Sequence, residues 1–420
     1  MPQQPTGEVF DQSRGLPPAP SDPAPLSAYL HIPFCRIRCG YCDFNTYTSE
    51  FGPGADHGSF HQSLIEEIRQ ASRFLKASGY PQRPLKTVFF GGGTPTMLEP
   101  RILNQVLQAL RDEIGITTDA EITLEANPDT VTEQSLAELK AGGFNRVSFG
   151  VQSFVPHVLQ TLDRTHRPQA VPEVIAAAKK VGFSTSLDLI YGTPAESVKD
   201  WEESLKQGIA LEPDHISAYS LIIEPGTKLH ARMERGELPW PEDDDQGEKY
   251  EVADRLLAEA GYQWYEISNW ARKSGENLPD GYPRHASRHN LAYWQNHDWW
   301  GFGPGAHSHI NGQRWWNVKH PLAYAQNLQT GKLPVAGTEI LSVADRSLEN
   351  LMLMIRTLEG YPRELLISGT ESAQKIADLI RDGLIDAPSA LKGQLKLTLS
   401  GRLLADYVVR TLSDELNVSE

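Results

Sequence analysis

All three cysteines of this chain sit in one octapeptide, Cys35-Arg-Ile-Arg-Cys39-Gly-Tyr-Cys42. Three thiolates in C-x3-C-x2-C spacing on one loop can hold three corners of a four-iron cluster. The fourth iron then has no protein ligand and is open to bind something, unlike the fully Cys-ligated clusters that pass electrons. A disulfide framework does not fit, because three is odd and the thiols are too close together to staple distant segments. A structural zinc site needs a fourth ligand. His31, four residues before Cys35, could complete a Cys3His set and keeps zinc open as an alternative. Three core cysteines packed this tightly would be a coincidence.

Such a loop needs a scaffold, and residues 26–222 supply one. Short apolar runs at 26–31, 87–90, 121–125, 146–151, 184–190 and 215–221 read as strands. Helical periodicity fills the gaps at 60–76, 101–112, 133–141, 169–180 and 198–210. Strict alternation implies right-handed parallel β/α units. Six units predict an α/β protein built on an incomplete (β/α)6 barrel. Active sites in barrels form at the C-terminal ends of the strands. That rim would gather the Cys loop, Gly91-Gly92-Gly93-Thr94, Glu125, Gln152, Asp188 and Ser220. The reading divides the chain into a disordered lead-in at 1–25, or an arm over the site, and the barrel at 26–225. A Trp- and His-rich connecting region follows at 226–340. Residues 341–420 form an α+β or helical, winged-helix-like domain. The acidic run at 242–245 reads as the charged first turn of a helix, not a metal site.

Composition bounds the partners. The 420 residues are 40% hydrophobic and 22% charged, which is ordinary for a globular protein. No apolar run approaches the ~18 residues that span a bilayer, and the Pro- and Gln-rich start has no signal-peptide core. A net charge of −15 argues against a nucleic-acid backbone as partner. Absent disulfides and an oxygen-sensitive cluster motif point to a reducing cytoplasm.

Four segments then share one resemblance: Tyr29-Leu-His-Ile-Pro-Phe-Cys35, the Cys triad with Tyr41 before its third member, Phe90-Gly-Gly-Gly-Thr-Pro-Thr96, and Asp188-Leu-Ile-Tyr-Gly-Thr-Pro194. Together they resemble the coproporphyrinogen-oxidase-like radical S-adenosylmethionine (SAM) family, from about Tyr29 through the C-terminal domain. The resemblance implies that Cys35, Cys39 and Cys42 hold a [4Fe–4S] cluster, fed by an electron donor. The amino and carboxylate groups of SAM would chelate the open iron. One electron then cleaves the S–C5′ bond and releases a 5′-deoxyadenosyl radical; the chemistry is the cofactor's, and the protein positions and shields it. Tyr29 would lie near the cluster end of SAM. Gly92, Gly93 and Thr94 match a motif that approaches the SAM amino group through backbone atoms, where only glycine permits the contact. Glu125, Gln152, Arg164 and Asp188 match SAM-contacting positions, with Arg164 suited to the carboxylate. Without the family, a glycine triplet most often marks a tight turn, and Glu125 or Asp188 would be a strand-end ion-pair partner as often as a ligand.

Two features choose a branch. Oxygen-independent coproporphyrinogen III oxidases of this family carry a fourth Cys two residues after the third, where this chain has Phe44. The segment Arg288-His289-Asn290-Leu291-Ala292-Tyr293-Trp294 is similar to the H-N-x-x-Y-W pattern of the HemW-type haem-chaperone branch. That likeness implies uptake of haem and its delivery to acceptor haemoproteins, with His289 as candidate axial ligand and His307 or His309 as others. Tyr293, Trp294, Trp299 and Trp300 could stack on a porphyrin. The residues alone also allow a packed domain interface with a buried, hydrogen-bonding His. The alternative function is oxidative decarboxylation of coproporphyrinogen III.

Overall fold

The computed structural model describes residues 7–417. Twelve strands form one sheet. Their ranges are β1 Leu26–Ile32, β2 Leu85–Gly92, β3 Ile116–Ala126, β4 Arg146–Gln152, β5 Ser184–Tyr191, β6 His215–Ser220, β7 Tyr262–Glu266, β8 Asn269–Arg272, β9 Asp298–Phe302, β10 His307–Ile310, β11 Gln313–Asn317 and β12 Val335–Ile340. The order is β12-β11-β10-β9-β1-β2-β3-β4-β5-β6-β8-β7, and β1 through β6 run parallel. The crossovers carry helices α1 Phe60–Ala77, α2 Pro100–Glu113, α3 Glu133–Gly142, α4 Pro156–Thr161, α5 Val171–Val181 and α6 Val198–Ala210. The six β/α units expected from the alternation are all present.

The strand sequences explain why this sheet curls around a polar lumen. On one face Ala28, Leu30, Val88, Phe90, Ile122, Leu124, Val147, Phe149, Leu187, Leu189, Ile216 and Ala218 join the apolar sides of the helices in one core. The alternate positions carry Ser27, Tyr29, Thr87, Glu121, Arg146, Ser148, Ser186, Asp188, His215 and Ser217, and they are buried too, Tyr29 and Asp188 in part. Side chains two apart share a face, so the inner wall is polar by sequence. Buried polar groups need partners, and the lumen is where a ligand or a hydrogen-bond network must supply them.

The region at 226–340, expected as a connector, instead extends the sheet at both edges. β9 pairs parallel with β1 and carries β10 to β12 antiparallel beyond it. β8 pairs antiparallel with β6 and is edged by β7. The acidic run opens the helix Asp243–Glu259 as expected, and Asp245 pairs with buried Lys249 at 2.6 Å. The expected disordered lead-in also needs correction over its described part. Phe10 packs on Phe74 and Trp315 at 5.8 and 6.3 Å, Leu16 is buried, and Glu8 bridges Thr338. Two apolar anchors hold an otherwise polar, Pro-rich strap; residues 1–6 lie outside the described part.

After β12, helices Val343–Met354, Thr370–Arg381, Ala387–Leu391, Leu399–Leu403 and Ala405–Leu412 enclose a separate core around Leu351, Leu379, Leu395, Val408 and Leu412. A two-stranded antiparallel pair, Tyr361–Pro362 with Gln394–Leu395, completes this part. Arg402 joins it to the barrel, bonded to Asp254 at 2.9 Å and lying over Trp264. Among the described residues no helix is long and apolar enough to cross a membrane.

Candidate functional site

The cysteine loop leaves β1 and is fixed by backbone bonds that need no sulfur. Cys35 N–H donates to Tyr47 O at 2.9 Å, Gly40 N–H to Leu162 O at 3.2 Å, and Leu229 N–H to Gly40 O at 2.8 Å. Asn45 Nδ2 donates to the Pro304 and Lys319 carbonyls at 2.9 and 2.8 Å, tying the loop to the flanking sheet. The glycine loop after β2 lies beside it: Gly93 and Thr94 N–H donate to Ile32 and Phe34 O, both at 2.8 Å. A Cβ on Gly93 would sit 2.6 Å from Phe34 O and 2.8 Å from Ile32 O. Only glycine fits between these two segments.

Both loops open onto a cavity of 360 Å³. Its walls include Cys35, Cys39, Cys42, Gly92, Gly93, Thr94, Glu125, Gln152, Arg164 and Asp188. Ten residues singled out from sequence thus meet in one place. Arg164 Nη1 donates to Cys39 Sγ at 3.5 Å, and Thr94 Oγ1 to Cys35 Sγ at 3.7 Å. Gly92 N–H donates to Glu125 Oε2 at 3.1 Å, and Ser148 Oγ to Asp188 at 3.0 Å. Sequence reasoning missed Asn127, Tyr219 and Phe44 as walls. Asn127 accepts from Arg164 Nη2 at 2.8 Å; its signal was a polar residue one step past the end of β3.

The donor set fits an iron–sulfur cluster, which the three thiols would hold, and a cationic partner for the carboxyl groups of the same cavity. Burial pushes the Cys35 thiol up to about 11, so a metal that binds there must displace the proton. Burial, then the Asp188 charge, pushes Glu125 up to about 8. Asp188 is raised by burial as well, against hydrogen bonds from Ser217 and Ser148. A carboxylate pair in this state favours a positive, hydrogen-bond-donating partner. Gln152 has φ 65° and a buried Oε1 without a partner, a second group on this wall that lacks its bond. The Cys3His zinc alternative fits poorly. His31 is bonded to Tyr29 through Nδ1 at 3.0 Å and to Asn45 O through Nε2 at 2.9 Å, and among the described residues no three His, Cys, Asp or Glu groups converge on one ion position.

Two of the expected residues lie outside this cavity. Tyr29 does not line the cysteine cavity. It walls a second chamber of 150 Å³ deeper in the lumen, with Phe89, Arg146, His215 and Tyr293, and the chambers share only Glu125, Asp188 and Tyr219. His289, expected as a candidate haem ligand, is held by protein groups on every side. His289 is 2% exposed, stacks on Phe89 at 5.0 Å, and bonds Thr87 Oγ1 at 2.7 Å and Tyr293 OH at 3.1 Å. Thr87 also donates to Ser27 Oγ at 2.9 Å, and both ring nitrogens of His289 are engaged within the protein. The helix Arg288–Trp294 closes the lumen floor, and Glu121 accepts from the Arg288 and His289 N–H groups, each at 3.0 Å. The aromatics pack on protein: Tyr293 meets Trp299 edge to face at 4.9 Å, and Trp300 is in the core. His309 is buried and bonded through both nitrogens, to His297 O and Gly312 N, while His307 stacks on Trp316 at 5.9 Å.

His289→Ala therefore removes a structural hydrogen-bonder. It should cost about 2–4 kcal/mol, through unpaired Thr87 and Tyr293 and a new cavity, and leave haem uptake per folded chain unchanged. Chemical denaturation and a haem titration check both; an undiminished stability with lost haem binding would restore the ligand role.

A parallel barrel with three thiols on the loop after its first strand and glycines after its second defines a radical SAM protein, and comparison agrees. A model described as "Radical SAM superfamily" matches residues 29–208. The Heme chaperone HemW of Mycobacterium tuberculosis is 43% identical over 399 residues, covering 95% of this chain and 97% of that protein. The Heme chaperone HemW of Bacillus subtilis is 34% identical over 405 residues, covering 93% and 100%. The solved coproporphyrinogen III oxidase (HemN) of Escherichia coli superposes with a TM-score of 0.76 at 24% identity, covering 94% and 91%, a likeness of fold. The chain belongs to the HemW family of the radical SAM superfamily.

Proposed function

We propose that this protein is a haem chaperone: it binds a [4Fe–4S] cluster and SAM, takes up haem, and delivers it to haemoproteins in the cytoplasm. The observation that carries this reading is identity across nearly the full length of relatives named Heme chaperone HemW. In it, Cys35, Cys39 and Cys42 would hold the cluster, supplied with electrons by a redox donor, and the cluster and SAM would bring one-electron chemistry to the cavity. Gly92, Gly93 and Thr94 would receive the SAM amino group, Arg164 its carboxylate, and Glu125, Gln152 and Asp188 its remaining donors. Phe44 stands where the oxidases have their fourth cysteine. It is 58% exposed at the cavity mouth and offers apolar surface in place of a ligand.

Anaerobic reconstitution separates this function from its alternative. Adding haem should produce a Soret band, and adding coproporphyrinogen III, SAM and reductant should produce no protoporphyrinogen. Decarboxylation without haem uptake would replace the chaperone reading with the oxidase.

A further inference from the structure

Among the described residues, His166 is the only histidine whose two ring nitrogens are both buried and without a hydrogen-bond partner, and it is 6% exposed. Buried polar groups left unpaired cost stability, so such a residue needs an explanation. His166 lines a cavity of 30 Å³ together with Cys39, Arg164, Asn127 and Asp129. Arg164 brings its own unpaired group to this place: its Nε–H is buried and has no partner. The other arms of the guanidinium are fixed, Nη1 on Cys39 Sγ at 3.5 Å and Nη2 on Asn127 Oδ1 at 2.8 Å.

A neutral imidazole carries one N–H and one lone pair. The residues around the cavity thus carry an unpaired donor on Arg164, an unpaired acceptor and donor on His166, and the Asp129 carboxylate, which Arg36 binds at 3.1 Å, and the cavity has room for about one water. We propose that His166 is a positioning residue: through one bound water it completes the hydrogen bonding of Arg164 and holds that guanidinium against Cys39. The inference rests on the cluster and SAM reading of the cavity and not on haem. Groups that orient a metal's ligands tune the metal. An N–H aimed at a ligating thiolate stabilises the more negative, reduced cluster, so a slack Arg164 lowers the potential and loosens the grip on the SAM carboxylate.

The test compares wild type, His166→Phe and His166→Gln after anaerobic cluster reconstitution. Midpoint potential is read by redox titration and SAM affinity by equilibrium dialysis. The Phe variant should load iron as wild type does, with a more negative midpoint and a SAM Kd raised about ten-fold. The Gln variant, which keeps a donor and an acceptor, should recover most of both. A Phe variant with wild-type potential and affinity overturns the inference. So does a Gln variant as impaired as Phe, which marks a packing role. If Phe prevents folding, His166→Leu takes its place and is read the same way. A wild-type chain that takes up no cluster overturns this inference and the cluster reading together, whereas normal wild-type loading with an unchanged variant overturns this inference alone.

Discussion

Cys39→Ala should leave the chain folded and strip it of iron. Reconstituted wild type should carry roughly four irons per chain, the content of one [4Fe–4S] cluster, and the variant close to none. The loop bonds explain why folding survives: Gly40 and Leu229 are held through backbone groups, and Cys39 is only partly buried. Among the described residues the thiol's one hydrogen-bond partner is Arg164, which keeps Asn127 and Gly150 as acceptors when sulfur is lost. Far-ultraviolet circular dichroism should therefore match wild type, while the visible charge-transfer absorbance disappears. SAM affinity should fall with it, since no open iron remains to chelate the methionine end. Full iron in the variant, or one zinc and no iron in wild type, would contradict the assignment of the triad.

The second large effect is on stability against pH in the cofactor-free protein. Burial raises Glu67, Glu196 and Glu266 to about 7 and Glu125 to about 8. A carboxyl with a raised folded pKa binds more protons folded than unfolded between its two values, so stability falls as pH rises across that window. Burial depresses His31 and His166 to about 4, His289 to about 3, and His215 well below its ordinary value. These have the opposite sign: stability rises with pH until the unfolded value near 6.5 and then stops rising. Below about pH 6.5 the two sets oppose each other, and above it the carboxylates act alone. The melting temperature should be nearly flat from pH 5.5 to 6.5 and drop by pH 8. Glu125 alone contributes a loss on the order of 2 kcal/mol, at about 1.4 kcal/mol per unit. Thermal scans of wild type and Glu125→Gln check this. The variant should lose part of the fall, and a wild type that gains stability from pH 6.5 to 8 would refute it.

The barrel and most of the site were legible because each depends on local pattern. Strand–helix alternation fixes parallel β/α units, and the polar residues at strand ends, Glu125 and Asp188 among them, needed only the rule that barrel sites form there. The parity of Tyr29 was harder to see. It faces the lumen, but it lies three residues before the end of β1, roughly 10 Å below the rim at ~3.3 Å per residue. The edges of the sheet were hidden for another reason. β9 joins β1 across 271 intervening positions in register, as Trp299 faces Ser27, and β7 and β8 are too short to show periodicity. The surroundings of His289 were not legible because its motif shows residue types and not partners. Glu121, Thr87 and Tyr293, which use up its helix end and both nitrogens, are contributed by two other strands and its own next turn. His166 had no sequence signal beyond its place two residues after Arg164.

The most direct measurement is transfer. Wild-type protein is reconstituted with cluster under anaerobic conditions, loaded with haem, freed of unbound haem, and mixed with an apo-haemoprotein while both Soret bands are followed. The expected result is loss of haem from the loaded protein and its appearance, mole for mole, in the acceptor. Haem that never binds, or that stays bound in the presence of acceptor, would contradict the chaperone function.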